Sequence, residues 1–386
     1  MHQANSILVS FHVSPDAGYA INSLITTFIR MAEKLVVDER NIHVTFPGMT
    51  GKERCDAITG VRNLVEFDPA TRDPGKLDMI QTYIRKHGIE VVFGFDLPVR
   101  QASYRYMRQA GVRRIVSYQG APMSGLNSGI LLLLKRLEVM CVPGSPDHYI
   151  FESQAMAETA YRGRGVPLAR TSIVHLGVDE NRYRPADSLS GYAYDTFSIP
   201  RDRKIIYYSG HMEERKGVAV LVHAARDLYD RHDRRDFHFL ILGNRDGEEQ
   251  RFLDMLRGTE ARKHVTFGGY RKDVEQILPG CYLGAIASTG WDSFTMSSLE
   301  IASCGLPLLV SRLQGLVETI EEGKTGYAFT PREHAELATH IVRLLDDSDR
   351  RDRMGACARQ RILSGYTKQQ QIDRLADVMQ RVIATG

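Results

Sequence analysis

Long apolar runs are missing from this chain of 386 residues. No stretch of about 18 consecutive apolar residues occurs, so a membrane-spanning helix is not expected. The opening MHQANSILVSFHV has neither the basic start nor the apolar core of a secretory leader. Cysteine is scarce: Cys55, Cys141, Cys281, Cys304 and Cys357 are odd in number and widely scattered. That pattern indicates neither a disulfide framework nor a paired-cysteine zinc site, and it fits a reducing, cytoplasmic compartment. An excess of one charge is missing too. Fifty Lys and Arg against 47 Asp and Glu leave +3, with no basic arm, so a dedicated nucleic-acid binder is not expected. The thirteen histidines show no ligand spacing beside cysteines or carboxylates, and no bound metal is expected.

What is present is an ordinary globular composition, 43% apolar and 25% charged, in a length that calls for two domains at about 150 residues each. Short Val, Ile and Phe runs alternate with stretches of helical period, the pattern of parallel strands joined by crossover helices. Strands are expected near Ile7–Phe11, His43–Phe46, Val91–Phe95, Arg114–Tyr118 and His148–Phe151, with helices over Ala20–Val37, Asp73–His87 and Leu97–Ala110. The second half restarts at Lys204–Ser209 and continues with strands at His238–Leu242, Val265–Phe267, Gly284–Ala287 and Pro307–Val310. It closes with helices near Glu333–Leu345, Arg350–Leu363 and Lys368–Ile383. The polar, turn-rich segment Gly177–Asp202 reads as the linker of two doubly wound units. Such units bind ligands beyond the carboxyl ends of their strands, so strand-to-helix loops are where function is sought.

Two loops stand out. In STGWDSFTMSSLEIASCGLPLLVS (Ser288–Ser311) a turn leads from a strand into a helix. The amides of Phe294, Thr295 and Met296 then face an anion at the helix start. Asp292 and Glu300, eight residues apart, suit the two ends of a sugar nucleotide. The competing reading is a capping box from Ser297 to Glu300, with Asp292 an ordinary cap. In YYSGHMEERKGVAVLVHAARDL (Tyr207–Leu228), Arg215, Lys216 and Gly217 precede a helix whose apolar positions include Val218, Val222 and Ala225. Two cations at such a loop make an anion site, with Lys216 the stronger candidate; a solvated charge pair is the alternative.

Taken in order, GHMEERKG (Gly210–Gly217), LILG (Leu240–Gly243), VTFGGY (Val265–Tyr270), DSFTMSSLEIASCGLP (Asp292–Pro307) and GKTGY (Gly323–Tyr327) resemble the retaining glycosyltransferases of family four, glycosyl transferases group 1. The first half is matched more thinly, by the Gly18 loop and by HLGVDENRYRP (His175–Pro185). The resemblance implies an α/β protein of GT-B fold, two Rossmann-like doubly wound domains facing across a cleft. The expected division is 1–185, with a C-terminal helix at about 366–386, for the acceptor, and 186–365 for the donor.

It also implies roles. Lys216, with Arg215, neutralises the donor's diphosphate, aided by amides of the Gly18 loop and of Phe294, Thr295 and Met296. Glu300 holds the ribose and Asp292 faces the donor sugar. Gly210, His211 and Tyr270 belong to the donor loops, and Gln119 takes the place where the family often has a sugar-facing His. Gln cannot act as a base, which leaves it positioning. The family usually has Glu at Asp292 and Arg at His211. The function implied is metal-independent, cofactor-free retaining transfer from a nucleoside-diphosphate sugar, such as a UDP-sugar, to an acceptor hydroxyl on a glycan, a lipid-linked or a small molecule. Rival readings are a sugar-nucleotide epimerase or phosphorylase of the same fold, or a non-catalytic sugar-nucleotide binder.

Other matches fail. The GKT triplet at Gly323–Thr325 has Glu318 where a P-loop needs glycine. RGRGVP (Arg162–Pro167) lacks the third glycine of a dinucleotide fingerprint. Asp347-Ser348-Asp349 has the D-x-D form of metal-dependent transferases but falls between two C-terminal helices. GILLLLKRLEVM (Gly129–Met140) reads as a buried helix, with a peripheral bilayer contact beside Lys135 and Arg136 as the weaker alternative.

Overall fold

Buried β-branched and aromatic runs build two parallel sheets. The computed structural model describes residues 4–15, 18–48, 58–141 and 144–385. The first sheet contains Ile7–Ser10, Ile42–Phe46, Asn63–Glu66, Val91–Phe95, Arg114–Gln119, His148–Phe151 and Thr171–Ile173 (β1 to β7), in the order β3-β2-β1-β4-β5-β6-β7. The second contains Lys204–Ser209, Phe237–Leu242, Val265–Phe267, Leu283–Ile286, Leu308–Ser311 and Gly326–Phe329 (β8 to β13), in the order β10-β9-β8-β11-β12-β13. Every ladder is parallel. Each sheet reverses its winding once, between β1 and β4 and between β8 and β11, which is where doubly wound folds bind ligands.

The chain leaves the first unit after His175 and rejoins it at Gln369, so the second unit is Leu176–Lys368. The sequence had suggested 185 and about 366. The residues after His175 belong to the second unit because they pack there: Arg182 pairs with Glu275 at 3.0 Å, and the Tyr183 carbonyl accepts the Ser303 hydroxyl at 2.6 Å. The expected linker Gly177–Asp202 is therefore not a free connector. It carries the helix Tyr192–Phe197, buries Ala193 and Ile199, and donates the Tyr192 hydroxyl to Asp273 at 2.7 Å.

Local chemistry sets most helix ends. For Pro74–His87, Asp73 caps the start by accepting the amides of Gly75 and Lys76, proline follows it, and Gly88 closes the helix at φ 57°. The helix expected from Leu97 starts only at Ser103, because Pro98 interrupts and the Leu97 carbonyl is used by Ser117 and Gln119. β3 and β7 escaped notice in the sequence, being edge strands of four and three residues that are half exposed. β13 hid inside the GKTGY motif, whose first part is a tight turn with Gly323 at φ 73°. Asp347 is a helix cap, accepting the Arg350 amide at 2.9 Å.

The leucine-rich segment corrects an expectation. The helix Gly129–Cys141 buries Val139 alone, while Ile130, Leu131, Leu133, Leu134, Leu137 and Met140 are about half exposed or more. It is fastened through polar pairs, Glu138 taking both guanidinium nitrogens of Arg164, so its leucines are left outward. No helix among the described residues is long and apolar enough to cross a membrane. Cys141, Cys281, Cys304 and Cys357 are free thiols, and Cys55 lies outside the described residues.

In the first unit, the fully buried Phe28 meets Phe11 at 5.6 Å, Phe93 at 4.8 Å and Tyr118 at 5.1 Å between ring centroids. Phe28→Ala is expected to cost about 3–5 kcal/mol in denaturant unfolding, through lost contact and the cavity left behind. Three strand histidines set an acid limit. Burial pushes His43 and His148 down to about 4 and His238 to about 3. They stay neutral in the folded chain and take up protons when unfolded, at about 6.5. Stability should therefore fall as pH drops from about 6.5 toward 4 and be flat in this respect above about 7. His43→Gln should make the slope of unfolding free energy against pH shallower in that window.

Candidate functional site

The loops beyond the carboxyl ends of β8 and β11 converge at the reversal of the second sheet. After β8 the chain runs through Gly210 and His211 to the turn Glu214–Lys216, then into the helix Val218–Asp230. Gly217 joins turn to helix at φ 69°, and a Cβ there would stand 1.7 Å from the Ala287 carbonyl oxygen. Only glycine permits this approach. The Arg215 carbonyl accepts the amides of Thr289 at 2.7 Å and Gly290 at 3.3 Å, so the two loops are tied backbone to backbone.

That tie delivers the pair Lys216 and Asp292. Lys216 Nζ lies 3.0 Å from both carboxylate oxygens of Asp292, with side chains 18% and 8% exposed. Asp292 Oδ2 also accepts the Ser288 hydroxyl at 2.6 Å, and Oδ1 the Ser293 amide at 3.1 Å. Four hydrogen bonds from three groups fill its acceptor sites, while Lys216 keeps one of its three hydrogens for something else. Arg215 reaches the Trp291 carbonyl at 3.2 Å and pairs with Glu213 at 2.7 Å. His211 is exposed beside Glu213 at 3.4 Å.

Asp292 is followed by the helix Met296–Ser303, which carries Glu300. Its N-cap is Thr295, extended at φ −89° and ψ 143°, whose side chain caps no amide and bonds Ser298 Oγ at 2.9 Å instead. The Ser297–Glu300 capping box is thus not formed, since Ser297 lies inside the helix. Phe294 is buried and stacks on Tyr366. Glu300 is 6% exposed and raises the already burial-shifted Cys304 thiol, which reaches about 12. At the helix end, Arg359 donates to the Ser303 carbonyl at 2.7 Å and to the Ser303 hydroxyl and Tyr183 carbonyl at 2.9 Å. A cation at the terminal carbonyls holds the helix and complements its dipole. Gly355 lets the neighbouring helix close in, as a Cβ there would meet the Gly305 carbonyl at 2.1 Å.

The remaining donor-loop residues line up along the same strand ends. Gly210 donates to the Leu242 carbonyl at 3.1 Å, and Gly243 to the Gly269 carbonyl at 2.8 Å, next to the exposed Tyr270. Two residues named from the sequence lie in the first unit. Gly18 starts the helix Tyr19–Glu33 at φ 127°, and Gln119 is 4% exposed with its amide donating to the Leu97 carbonyl and to Ser117 Oγ. Sequence reading missed Ser288, Glu213, Arg251 and Gln314. Ser288 directly follows the strand and was legible by position. Gln314, whose Oε1 faces the Asp292 amide at 3.5 Å, follows the next strand, so only strand order brings it in. Arg251 donates to the Met212 carbonyl from a distant helix.

A cavity of about 700 Å³ in the first unit, lined by Arg108, Arg114 and Arg170, contains none of these residues. All three arginines are engaged internally: Arg108 on Asp147 at 2.7 Å, Arg114 on the Val382 carbonyl at 2.9 Å, and Arg170 on the Asp147 carbonyl at 3.1 Å.

Residues 195–361 match the family model described as glycosyl transferases group 1. That match takes in most of the second unit, Leu176–Lys368, which is similar to this family. Among curated relatives, the D-inositol 3-phosphate glycosyltransferase of Corynebacterium efficiens is 29% identical over 193 residues, 48% of this chain and 45% of that protein. The spore coat protein SA of Bacillus subtilis is 27% identical over 228 residues, 55% and 59% of the two chains. The chain thus spans about half the length of the curated relatives it matches. Whole-chain likeness comes from structure. A glycosyltransferase of Rickettsia africae superposes at TM-score 0.81 with 14% identity, covering 99% of this chain and all of that one. HepE of Anabaena, in complex with UDP, gives 0.74 with 18% identity, at 97% and 100% coverage. At such identities the likeness shows the fold, which is GT-B.

The pair predicts its own energetics. Lys216→Ala strands the buried Asp292 charge and should destabilise the chain by about 3 kcal/mol in denaturant unfolding. Lys263→Ala, which opens the exposed Lys263–Glu260 pair, should leave the unfolding midpoint nearly unchanged.

Proposed function

We propose that this chain is a retaining glycosyltransferase that moves a sugar from a nucleoside diphosphate to an acceptor hydroxyl. The observation that carries the reading is Lys216, fixed by Asp292 beside the side-chain-uncapped start of the helix that bears Glu300. Breaking the bond between the sugar's anomeric carbon and the diphosphate builds negative charge on the departing oxygen. Lys216's remaining hydrogen, Arg215 and the amides at Thr295 and Met296 are held in advance for that charge, so they favour the transition state over the bound donor. Glu300 takes the ribose hydroxyls. Asp292 acts as a positioning residue: its acceptor sites are filled, so its part is to aim Lys216 rather than to grip the sugar. Its shorter side chain, where the family usually has Glu, suits that task.

In this reading the acceptor oxygen forms its bond on the face the diphosphate leaves, and the acceptor's proton passes to a donor phosphate oxygen. No side-chain nucleophile and no metal take part; the cations and amides carry the neutralisation. The UDP and UDP-glucose complexes of HepE make uridine donors the first to try.

The test is turnover of the full purified chain with uridine, guanosine, thymidine and adenosine diphosphate sugars against a panel of sugar and polyol acceptors. Lys216→Ala and Glu300→Ala should each lower kcat about 100-fold or more, the scale of losing one electrostatic stabiliser. Activity should survive EDTA, and the product should keep the donor's anomeric configuration by NMR. Near-full kcat in either variant, or an inverted product, would refute the assignment. Donor consumed without an acceptor, or only with inorganic phosphate, would favour the epimerase or phosphorylase reading.

A further inference from the structure

The first sheet reverses between β1 and β4, and two side chains stand there that the donor chemistry does not use. Asp96 directly follows β4 in the left-handed region at φ 51°, a conformation that non-glycine residues adopt at a cost. Its amide donates to the Tyr118 carbonyl at 2.7 Å. One carboxylate oxygen, Oδ1, accepts the amides of Gly120 at 2.7 Å and Ala121 at 3.3 Å. The other, Oδ2, has no hydrogen-bond partner among the described residues. Desolvation raises the carboxyl's pKa, and the hydrogen bond from the Gly120 amide acts against that rise.

His12 follows β1 and stacks on Phe95, with ring centroids 5.4 Å apart. Its Nδ1 lies 3.0 Å from the Phe95 carbonyl. A carbonyl can only accept, so Nδ1 carries a proton, and the Nδ1-protonated tautomer presents the lone pair of Nε2. The imidazole is exposed, so that lone pair is open to a ligand. Anchoring two amides would need only one oxygen, and asparagine tolerates the left-handed region well and could supply it. A carboxylate that is partly buried, strained and half used is retained for a hydroxyl donor.

We propose that Asp96 and His12 form a polyol subsite, Asp96 Oδ2 and His12 Nε2 each accepting a hydroxyl hydrogen from a vicinal diol of a sugar or cyclitol. As the subsite of the acceptor it rests on the transferase reading; as a polyol site it stands on the first unit alone.

The experiment is saturation-transfer NMR of the full chain with myo-inositol and methyl α-D-glucopyranoside, beside thermal shift with UDP. The wild-type chain should bind at least one of the two polyols. Asp96→Asn keeps the two-amide anchor and His12→Gln alters an exposed side chain, so both variants should fold. Each should weaken polyol binding about tenfold, the worth of one hydrogen bond to a charged or well-placed group, with the UDP shift unchanged. Absence of polyol binding by the wild-type chain, or undiminished binding in both variants, would overturn the subsite. Polyol binding that depends on Asp96 in a chain giving no shift with any nucleoside diphosphate would instead sink the donor site and leave the subsite standing.

Discussion

A lysine held by a carboxylate that has no acceptor capacity to spare is the constraint around which the second unit is built. Left to solvent, Lys216 would sample many rotamers and lose entropy on meeting a phosphate. Bound to both oxygens of Asp292, it has met that loss during folding, and one hydrogen keeps a fixed direction. The arrangement is costly by itself, because both charges are mostly withdrawn from water. It persists because Ser288 and the Ser293 amide share the carboxylate's charge.

The surroundings serve the same geometry. Gly217 lets the turn bearing Lys216 press against the end of β11, and the Arg215 carbonyl clasps the loop leading to Asp292. Arg359 pins the far end of the Glu300 helix, leaving its near end with side-chain-free amides. Preorganisation of this kind places donors where charge develops, and little reorganisation remains at the moment of reaction.

Much of this was legible in the sequence. β4, β6, β8 and β10 start and stop where the sequence places them, and β4, buried throughout, shows why: a parallel strand covered on both faces leaves a continuous hydrophobic stretch. Lys216 and Asp292 were found by their place after such runs. What the sequence hid was pairing across distance: that the two would neutralise each other, that Gln314 would arrive from the next strand, and that Arg359 would cap a helix fifty-six residues upstream of it. Local patterns misled in two places. Four leucines in a row looked like core, yet the helix is held by Glu138 and Arg164. The turn-rich Gly177–Asp202 looked like a tether, yet tyrosine hydroxyls and small buried residues bind it to its unit. Asp96 carries no signature in the sequence: the family's sugar-facing position falls on Gln119 at the end of β5, whereas strand order puts the reversal beside β4.

The most direct measurement is a crystal of the full chain soaked with UDP-glucose, or with whichever donor it turns over. The diphosphate should lie within hydrogen-bond distance of Lys216 Nζ and of the amides at Thr295 and Met296, with the ribose on Glu300 and the Lys216–Asp292 pair intact. A donor bound elsewhere, with Lys216 and Glu300 untouched, would contradict the account.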